Sequence, residues 1–210
     1  MRLTVFGATG GIGQEIVRQA VASGHEVTAV VRDPARLPVP LSAVKVHAVE
    51  RLDDPDAVRE AVAGREAVLS GLGARSRKDH GVAQRLTGTV LGAMEAEKVR
   101  RLVVVSAAPL GGSAGDPVLD RAVRKLLRLF LKDVYADLAR MEADLADSGT
   151  DWTVVRPPKL TDGPLTGVYR KVTGGNPRAG RTISRADVAH AMLALADDPA
   201  AVRRAVGVAR

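Results

Sequence analysis

Three glycines near the start of the chain constrain its fold more than any other feature. An apolar run over residues 3–6 leads directly into Gly7, Gly10 and Gly13, and a helical pattern follows over residues 14–23. A strand that turns tightly into a helix on glycines presents free backbone N–H groups to a phosphate. We expect Gly7 to allow the turn, Gly10 to let a ligand approach the backbone, and Gly13 to let the helix pack on the strand. The G-x-x-G-x-x-G spacing therefore predicts a loop that binds the phosphates of a dinucleotide.

Strand patterns and helix patterns alternate along the rest of the chain. Predicted strands cover residues 3–6, 26–31, 44–49, 67–70, 101–106, 152–155 and 206–208, and predicted helices cover residues 11–23, 54–64, 81–97, 118–148 and 185–196. This alternation predicts right-handed crossovers and a doubly wound parallel sheet of the α/β class, the Rossmann fold. The 210 residues contain no linker or repeat. We expect a single domain over residues 1–210, with residues 157–184 as a loop region on the substrate side.

Composition narrows the classes of partner. The chain has no cysteine, which excludes a disulfide framework, a thiolate metal site and a cysteine nucleophile, and we expect no metal site. No apolar run approaches the ~20 residues of a membrane span, and the N-terminus lacks a cleavable signal pattern, so we expect a cytoplasmic protein with no membrane partner. The net charge is +7, but acids are interleaved among the cations and aromatic residues make up only 2% of the chain. These patterns argue against nucleic acid as the main ligand.

The residues after the second predicted strand bear on the type of dinucleotide. Ligands of doubly wound sheets bind at the carboxyl ends of the strands, where an acidic residue suits a ribose 2′-hydroxyl and a guanidinium suits a 2′-phosphate. This strand ends in Arg32, and Arg36 follows one helical turn later. Asp33 directly precedes Pro34, which is typical of a residue that caps a turn. We therefore expect NADPH or NADP⁺ rather than NADH; the alternative is that Arg32 is a solvated surface residue.

The next two strand ends also carry candidate residues. Arg51 could stack on the adenine ring or add charge near the 2′-phosphate, but a surface ion pair with either of the two following aspartates is equally compatible with the sequence. Gly71 and Gly73 would let the chain pass closely beneath a cofactor. Arg75 could reach the phosphates or the substrate, or remain on the surface.

These segments together resemble the atypical short-chain dehydrogenase/reductase superfamily. The resemblance is to its NmrA-like NAD(P)H-binding group, and within that to the small NADPH-dependent flavin reductases of the biliverdin reductase B type. It covers nearly the whole chain. The segments that carry it are Gly7-Ala8-Thr9-Gly10, residues 30–33 with residues 36–38, Pro157-Pro158, residues 162–167, Ile183-Ser184 and Asp187.

The resemblance implies a set of site residues. It places Ser106 beside the nicotinamide, where its hydroxyl could donate to the cofactor amide or to the substrate; a bond from that hydroxyl to its own backbone is the alternative. Lys159 stands where the flavin reductases have a histidine, and it could hold an anionic substrate or be solvated. Glu50 and Arg51 replace the usual Gly-Asp pair, so adenine recognition is expected to differ. The predicted cofactor-binding residues are Gly7, Thr9, Gly10, Gly11, Ile12, Gly13, Arg32, Arg36, Arg51, Leu72, Gly73, Arg75, Ser106 and Pro157, and the candidate catalytic residues are Ser106 and Lys159.

The chain lacks the Tyr-x-x-x-Lys pair that most short-chain dehydrogenases use to exchange a proton with a carbonyl group. Tyr135 is followed four residues later by Ala139, and Tyr169 has no lysine at that spacing. This favours hydride transfer to a planar conjugated small molecule, such as a flavin, a quinone or a linear tetrapyrrole, which can take its proton from water. Two alternatives are a non-catalytic NADP(H) sensor or scaffold and an NADP-dependent isomerase or epimerase. We expect a monomer or a homodimer.

Overall fold

The computed structural model describes residues 1–73, 81–108 and 132–210. The strands are β1 (Arg2–Phe6), β2 (Glu26–Val31), β3 (Lys45–Ala48), β4 (Ala67–Ser70), β5 (Arg101–Val105), β6 (Asp151–Arg156), β7 (Lys159–Thr161), β8 (Arg170–Thr173), β9 (Thr182–Ser184) and β10 (Arg204–Ala209). The helices are α1 (Gly11–Ala22), α2 (Pro55–Val62), α3 (Val82–Ala96), α4 (Lys132–Asp147) and α5 (Arg185–Ala196). Within these ranges, no helix has both the length and the apolarity that a membrane span needs.

The described residues form a main sheet of eight strands in the order β3-β2-β1-β4-β5-β6-β10-β8. The first six follow the order of a dinucleotide-binding sheet, with the reversal between β1 and β4 that opens a crevice at their carboxyl ends. All neighbouring strands are parallel except β8, which pairs antiparallel with β10. The predicted doubly wound Rossmann fold in one domain is therefore confirmed, with one antiparallel edge strand added.

Two apolar layers enclose the sheet. Helices α1 and α5 pack together on one face, over side chains such as Leu3, Val5 and Val103. Helices α2, α3 and α4 cover the other face, over side chains such as Phe6 and Leu102. Because both faces are buried, the central strands are almost continuously apolar, as their sequences predict.

The segment from β7 to β9 is more ordered than its glycine and proline content indicates. Strands β7 and β9 form a separate two-stranded parallel ladder in which Lys159 pairs with Thr182. Strand β8 runs antiparallel because the chain leaves β6 at the carboxyl edge and enters β8 from that edge. Arg170, which opens β8, pairs with Ala209 near the carboxyl end of β10. This segment therefore lies along the edge where the crevice opens.

Candidate functional site

A cavity of about 460 Å³ opens at the carboxyl ends of β1, β2 and β4 and reaches the first turns of α3. It brings together Gly7, Thr9, Gly10, Arg32, Arg51, Leu72 and Gly73 from the predicted set, and it is also lined by Val30, Val31, Glu50, Leu52, Asp53, Gly71, Val82, Arg85 and Leu86. Its position matches the crevice where ligands of this fold class bind.

The glycine turn forms the inner wall of this cavity, and close backbone contacts leave no room for a side chain at Gly7 or Gly13. Gly7 has φ +71°, and a Cβ there would lie 2.9 Å from the carbonyl carbon of Gly71. A Cβ at Gly13 would lie 2.0 Å from the Gly7 oxygen, so only glycine lets α1 pack this closely on the turn. A Cβ at Gly10 would meet only the Gly7 oxygen, at 3.2 Å, and otherwise faces open space. The steric roles predicted for Gly7 and Gly13 are confirmed.

Helix α1 begins in a form that suits an anion. Its N-cap residue, Gly10, makes no side-chain cap, and no acidic residue lies in the first turn. The N–H groups of the first turn therefore have no partner within the helix, and the positive end of the helix dipole faces outward. A phosphate group is the ligand that such an end favours.

Three arginines, together with Glu50 and Asp53, set the charge of the outer wall. Arg32 is exposed, and its guanidinium has no ion pair or hydrogen bond among the described residues. Arg51 donates to Asp53 through Nε at 3.0 Å and Nη2 at 3.3 Å. Arg85 of α3 approaches the same carboxylate at 3.4 Å. The hydrogen bonds from Arg51 hold the pKa of Asp53 below its usual range.

Other predicted cofactor residues lie outside the cavity lining. Gly11 and Gly13 belong to the first turn of α1 behind Gly10, and Ile12 is buried in the core between α1 and the sheet. Arg36 is exposed in a short 3₁₀ turn, and its carbonyl accepts a hydrogen bond from Gln14 at 3.2 Å. Arg75 lies outside the described residues. The 3₁₀ turn that contains Arg36 is capped by Asp33, whose carboxylate accepts a hydrogen bond from the Ala35 N–H at 3.1 Å, as its position before Pro34 predicts.

A second polar point lies at the carboxyl end of β5. Ser106 is 9% exposed, and its hydroxyl is buried with no hydrogen-bond partner in the described part of the chain. The alternative prediction, a hydrogen bond from this hydroxyl to its own backbone, is therefore wrong. Two residues on, the Ala108 N–H donates to the Pro157 oxygen at 2.8 Å, and the Asn176 side chain donates to the Ala108 oxygen at 2.7 Å. Pro157, which is buried, and Asn176, which is partly buried, thus fix the backbone that follows Ser106.

Lys159 opens β7 in an exposed position. Its ammonium group makes no hydrogen bond or ion pair with any described residue, so the structure leaves open both its predicted roles, substrate contact and solvation. Nearby, Arg185 pairs with Asp162 and passes over Gly11, where a Cβ would lie 2.6 Å from its Cδ atom. The start of α5 and the loop after β7 therefore cover one side of the phosphate turn.

Asp187 of α5 ties down the loop between β7 and β8. Its carboxylate accepts from the Thr166 and Gly167 N–H groups at 2.8 and 2.9 Å and from the Thr166 hydroxyl at 2.9 Å. Burial acts to raise the pKa of Asp187, but these hydrogen bonds outweigh it and the pKa lies below its usual range. Tyr169, at the end of this loop, bonds to His190 Nδ1 at 2.8 Å, and burial raises the pKa of Tyr169 to about 12. The loop is thus held by a fixed carboxylate and a phenol that stays protonated.

Sequence reasoning missed two residues of the site. Arg85 has no local signal, because only the packing of α3 on the sheet turns it toward Asp53. Asn176 lies in a segment whose composition indicates a loop and nothing more. The sequence suggests Asp53 only as a surface partner of Arg51. In the structure the two residues do pair, and both line the cavity.

Comparisons with known proteins agree with this geometry. The sequence profile of a family described as NAD(P)H-binding matches residues 7–199. An uncharacterized protein of Bacillus subtilis, YwnB, is 28% identical over 207 residues, which cover 92% of this chain and 91% of that protein. A 3-diazoavenalumate denitrifying reductase from Streptomyces is 34% identical over 182 residues, which cover 72% of this chain and 59% of the reductase.

Solved structures share the fold over the full length of the chain. A short-chain dehydrogenase/reductase from Veillonella parvula in complex with NADP superposes with a TM-score of 0.82 at 23% identity and covers 100% of this chain and 94% of that one. The ChuY anaerobillin reductase of Escherichia coli O157:H7 has a TM-score of 0.80 at 21% identity, with 100% and 97% covered. Since the profile match runs from the glycine turn to beyond α5, the chain belongs to the NAD(P)H-binding family of Rossmann-fold proteins.

Proposed function

We propose that this protein is an NADPH-dependent reductase that acts on a planar conjugated acceptor, such as a flavin, a quinone or a linear tetrapyrrole. The observation that carries the proposal is the hydroxyl of Ser106, which is buried at the end of a central strand and has no partner in the described part of the chain. Leaving a buried hydroxyl unpaired costs about 1–3 kcal/mol. A serine at this place is therefore best explained by a ligand that accepts its hydrogen bond.

The residues of the cavity fit NADPH. The turn at Gly7 and Gly10 has no side chain to block the approach of a ligand, and the uncapped start of α1, whose first-turn N–H groups have no partner within the helix, favours the pyrophosphate. Arg32 lies at the end of β2, where a 2′-phosphate would be held, and its guanidinium has no partner among the residues that the structure describes. When bound, the nicotinamide supplies a hydride. Ser106 would donate a hydrogen bond from its hydroxyl to the cofactor amide or to the acceptor and so orient that group for the transfer.

A conjugated acceptor suits a chain that lacks the tyrosine–lysine pair as a proton donor. Tyr135 has Ala139, rather than a lysine, four residues later. Tyr169 bonds to His190, and a phenol with a pKa of about 12 gives up its proton reluctantly. A flavin or quinone can be protonated by water after it takes a hydride, so the protein's task is to hold the reactants in the correct orientation. Lys159 is our candidate for contact with an anionic group of the acceptor.

The similarities support the same proposal. The Streptomyces relative is named a denitrifying reductase and the E. coli neighbour an anaerobillin reductase. We propose further that the chain resembles the NADPH-dependent flavin reductases of the biliverdin reductase B type in function, and that it acts as a monomer or a homodimer on a small molecule.

Oxidation of NADPH by the purified protein tests the proposal directly. The loss of NADPH absorbance is followed with FMN, a quinone and a linear tetrapyrrole in turn, with NADH as the matched reductant. We expect turnover with at least one acceptor and faster turnover with NADPH than with NADH. Binding of NADPH without turnover of any of the three acceptors would refute the reductase assignment.

The missing tyrosine–lysine pair also supports a second candidate, a non-catalytic sensor of NADP(H). A sensor binds the cofactor but transfers no hydride, and its natural readout is a stable protein partner. Equal affinity for NADP⁺ and NADPH together with no hydride transfer would favour it. Robust turnover would eliminate it.

A further inference from the structure

We propose that Asp53 is a specificity-determining residue, an internal counter-ion that competes with the adenosine 2′-phosphate for Arg51 and Arg85. The inference rests on the proposed function, in which the cavity takes NADPH. It assigns to Asp53 an effect on affinity opposite to that of Arg32: Arg32 strengthens the hold on a phosphorylated ribose, and Asp53 weakens it.

The geometry places all the competing groups in one cavity wall. Arg32, Arg51, Asp53 and Arg85 all line the same cavity of about 460 Å³. Asp53 accepts two hydrogen bonds from Arg51, at 3.0 and 3.3 Å, and lies 3.4 Å from Arg85. Arg32 is the arginine of this wall that has no partner among the described residues. Among the described residues, the wall thus holds one free cation, Arg32, and two cations that share the carboxylate of Asp53.

The exposure of these groups indicates which of them can exchange partners. The side chains of Arg51 and Arg85 are 76% and 58% exposed, whereas that of Asp53 is 22% exposed. The Asp53 carboxylate is therefore the less mobile partner of these ion pairs, and the guanidinium groups of Arg51 and Arg85 lie on the solvent side of the cavity. Exposed ion pairs of this kind contribute little stability, so a ligand can displace them. A phosphate group, like a carboxylate, accepts paired hydrogen bonds from arginine, and it carries more negative charge than a carboxylate.

Two consequences follow for binding. A 2′-phosphate that recruits Arg51 or Arg85 must draw it away from Asp53, and the carboxylate that remains repels the phosphate. Neutralising Asp53 removes both the competition and the repulsion. The affinity for a 2′-phosphorylated ligand should rise, while the affinity for the same ligand without that phosphate should change much less.

The experiment compares adenosine 2′,5′-bisphosphate with 5′-AMP, which differ only in the 2′-phosphate and carry no nicotinamide. Dissociation constants are measured by calorimetry on the full chain, for the native protein, Asp53→Asn and Glu50→Gln. Glu50 is the matched control, because it lines the same cavity but has no ion pair in the described residues. We expect Asp53→Asn to bind the bisphosphate about three- to tenfold more tightly, the size of one or two exposed ion pairs. Binding of 5′-AMP should change less than twofold, and Glu50→Gln should give a clearly smaller gain.

Arginine substitutions in the Asp53→Asn background identify the source of the gain. Adding Arg51→Ala or Arg85→Ala should remove much of the increase, and raising the salt concentration should shrink it. Weaker or unchanged bisphosphate binding by Asp53→Asn would overturn the inference and indicate that Asp53 orders the arginines instead. If the native protein binds both ligands equally, the NADPH preference of the proposed function fails as well. If the native protein prefers the bisphosphate and only the gain is missing, the failure belongs to this inference alone.

Discussion

Replacing Ser106 by alanine should stabilise the free protein and impair its function. The Ser106 hydroxyl is buried without a partner in the described residues, and such a group costs about 1–3 kcal/mol. Alanine removes the hydroxyl and leaves a cavity of only one oxygen atom. We expect the free energy of unfolding to rise by about 1 kcal/mol, which raises the melting temperature by about 2–4 °C in a domain of this size.

Urea unfolding followed by circular dichroism measures this effect, with Ser70→Ala as the matched control. Ser70 is also a buried serine at a strand end, but its hydroxyl accepts a hydrogen bond from the Leu72 N–H at 3.4 Å. Removing it should destabilise the protein, because a buried N–H loses its partner. The two substitutions are therefore expected to have opposite signs.

The same variant separates stability from function. Turnover by Ser106→Ala should fall more than its affinity for NADPH, since the backbone turn that binds the phosphates is unchanged. If Ser106→Ala destabilises the protein as Ser70→Ala does, the hydroxyl has a structural partner and the reasoning that carries the proposed function is wrong. Unchanged turnover would refute its contact with cofactor or acceptor.

Three further substitutions test other parts of the site. Arg32→Glu should weaken NADPH binding roughly tenfold to a hundredfold, the worth of one charge-assisted hydrogen bond, and leave NADH binding nearly unchanged in a fluorescence titration. Gly10→Val should reduce NADPH affinity by at least about tenfold with little change in melting temperature, because its Cβ meets only the Gly7 oxygen; a normal dissociation constant would contradict the phosphate role. Asp187 has a depressed pKa, so its stabilisation is present above the unfolded-state value of about 4 and is lost as the pH falls through the lower folded-state value. Asp187→Asn should therefore destabilise the protein at neutral pH and flatten its loss of stability below about pH 4; an unaltered acid limb of the stability curve would show that this carboxylate contributes nothing there.

The sequence predicts those elements of the fold whose side chains face one kind of environment. Strands β2 and β4 have the predicted bounds because they are apolar along almost their whole length and buried on both faces. Helix α5 also has its predicted bounds; Ser184 caps its start. Strands β7 and β9 have three residues each, and more than twenty residues separate the paired positions along the chain. No local sequence pattern therefore predicts them. The orientation of β8 depends on the edge from which the chain enters it.

The candidate site divides in the same way. The glycine turn could be predicted because its spacing encodes sterics, and the structure shows Gly7 and Gly13 without room for a Cβ. The partner of Arg51 stayed open in the sequence because stacking on a ligand and pairing with Asp53 use the same side chain. Only the register of α3 brings Arg85 to that carboxylate, and register is a property of tertiary packing.

The phosphate end of the site consists mainly of backbone, whereas the end near Ser106 consists of side chains. This difference determines which substitutions each end can tolerate. The phosphate end is mostly backbone, held by close contacts at Gly7 and Gly13 that tolerate no added atom, so its binding function is tied to the fold itself. The end near Ser106 relies on single side chains, one of which is buried with no partner in the described ranges, and substitutions there need not disturb the sheet. Asp53 is an intermediate case, since its charge adjusts the affinity for a 2′-phosphorylated ligand but its side chain is not part of the core. Cofactor binding should therefore persist across substitutions that abolish turnover, whereas a substitution at Gly13 should remove binding and stability together.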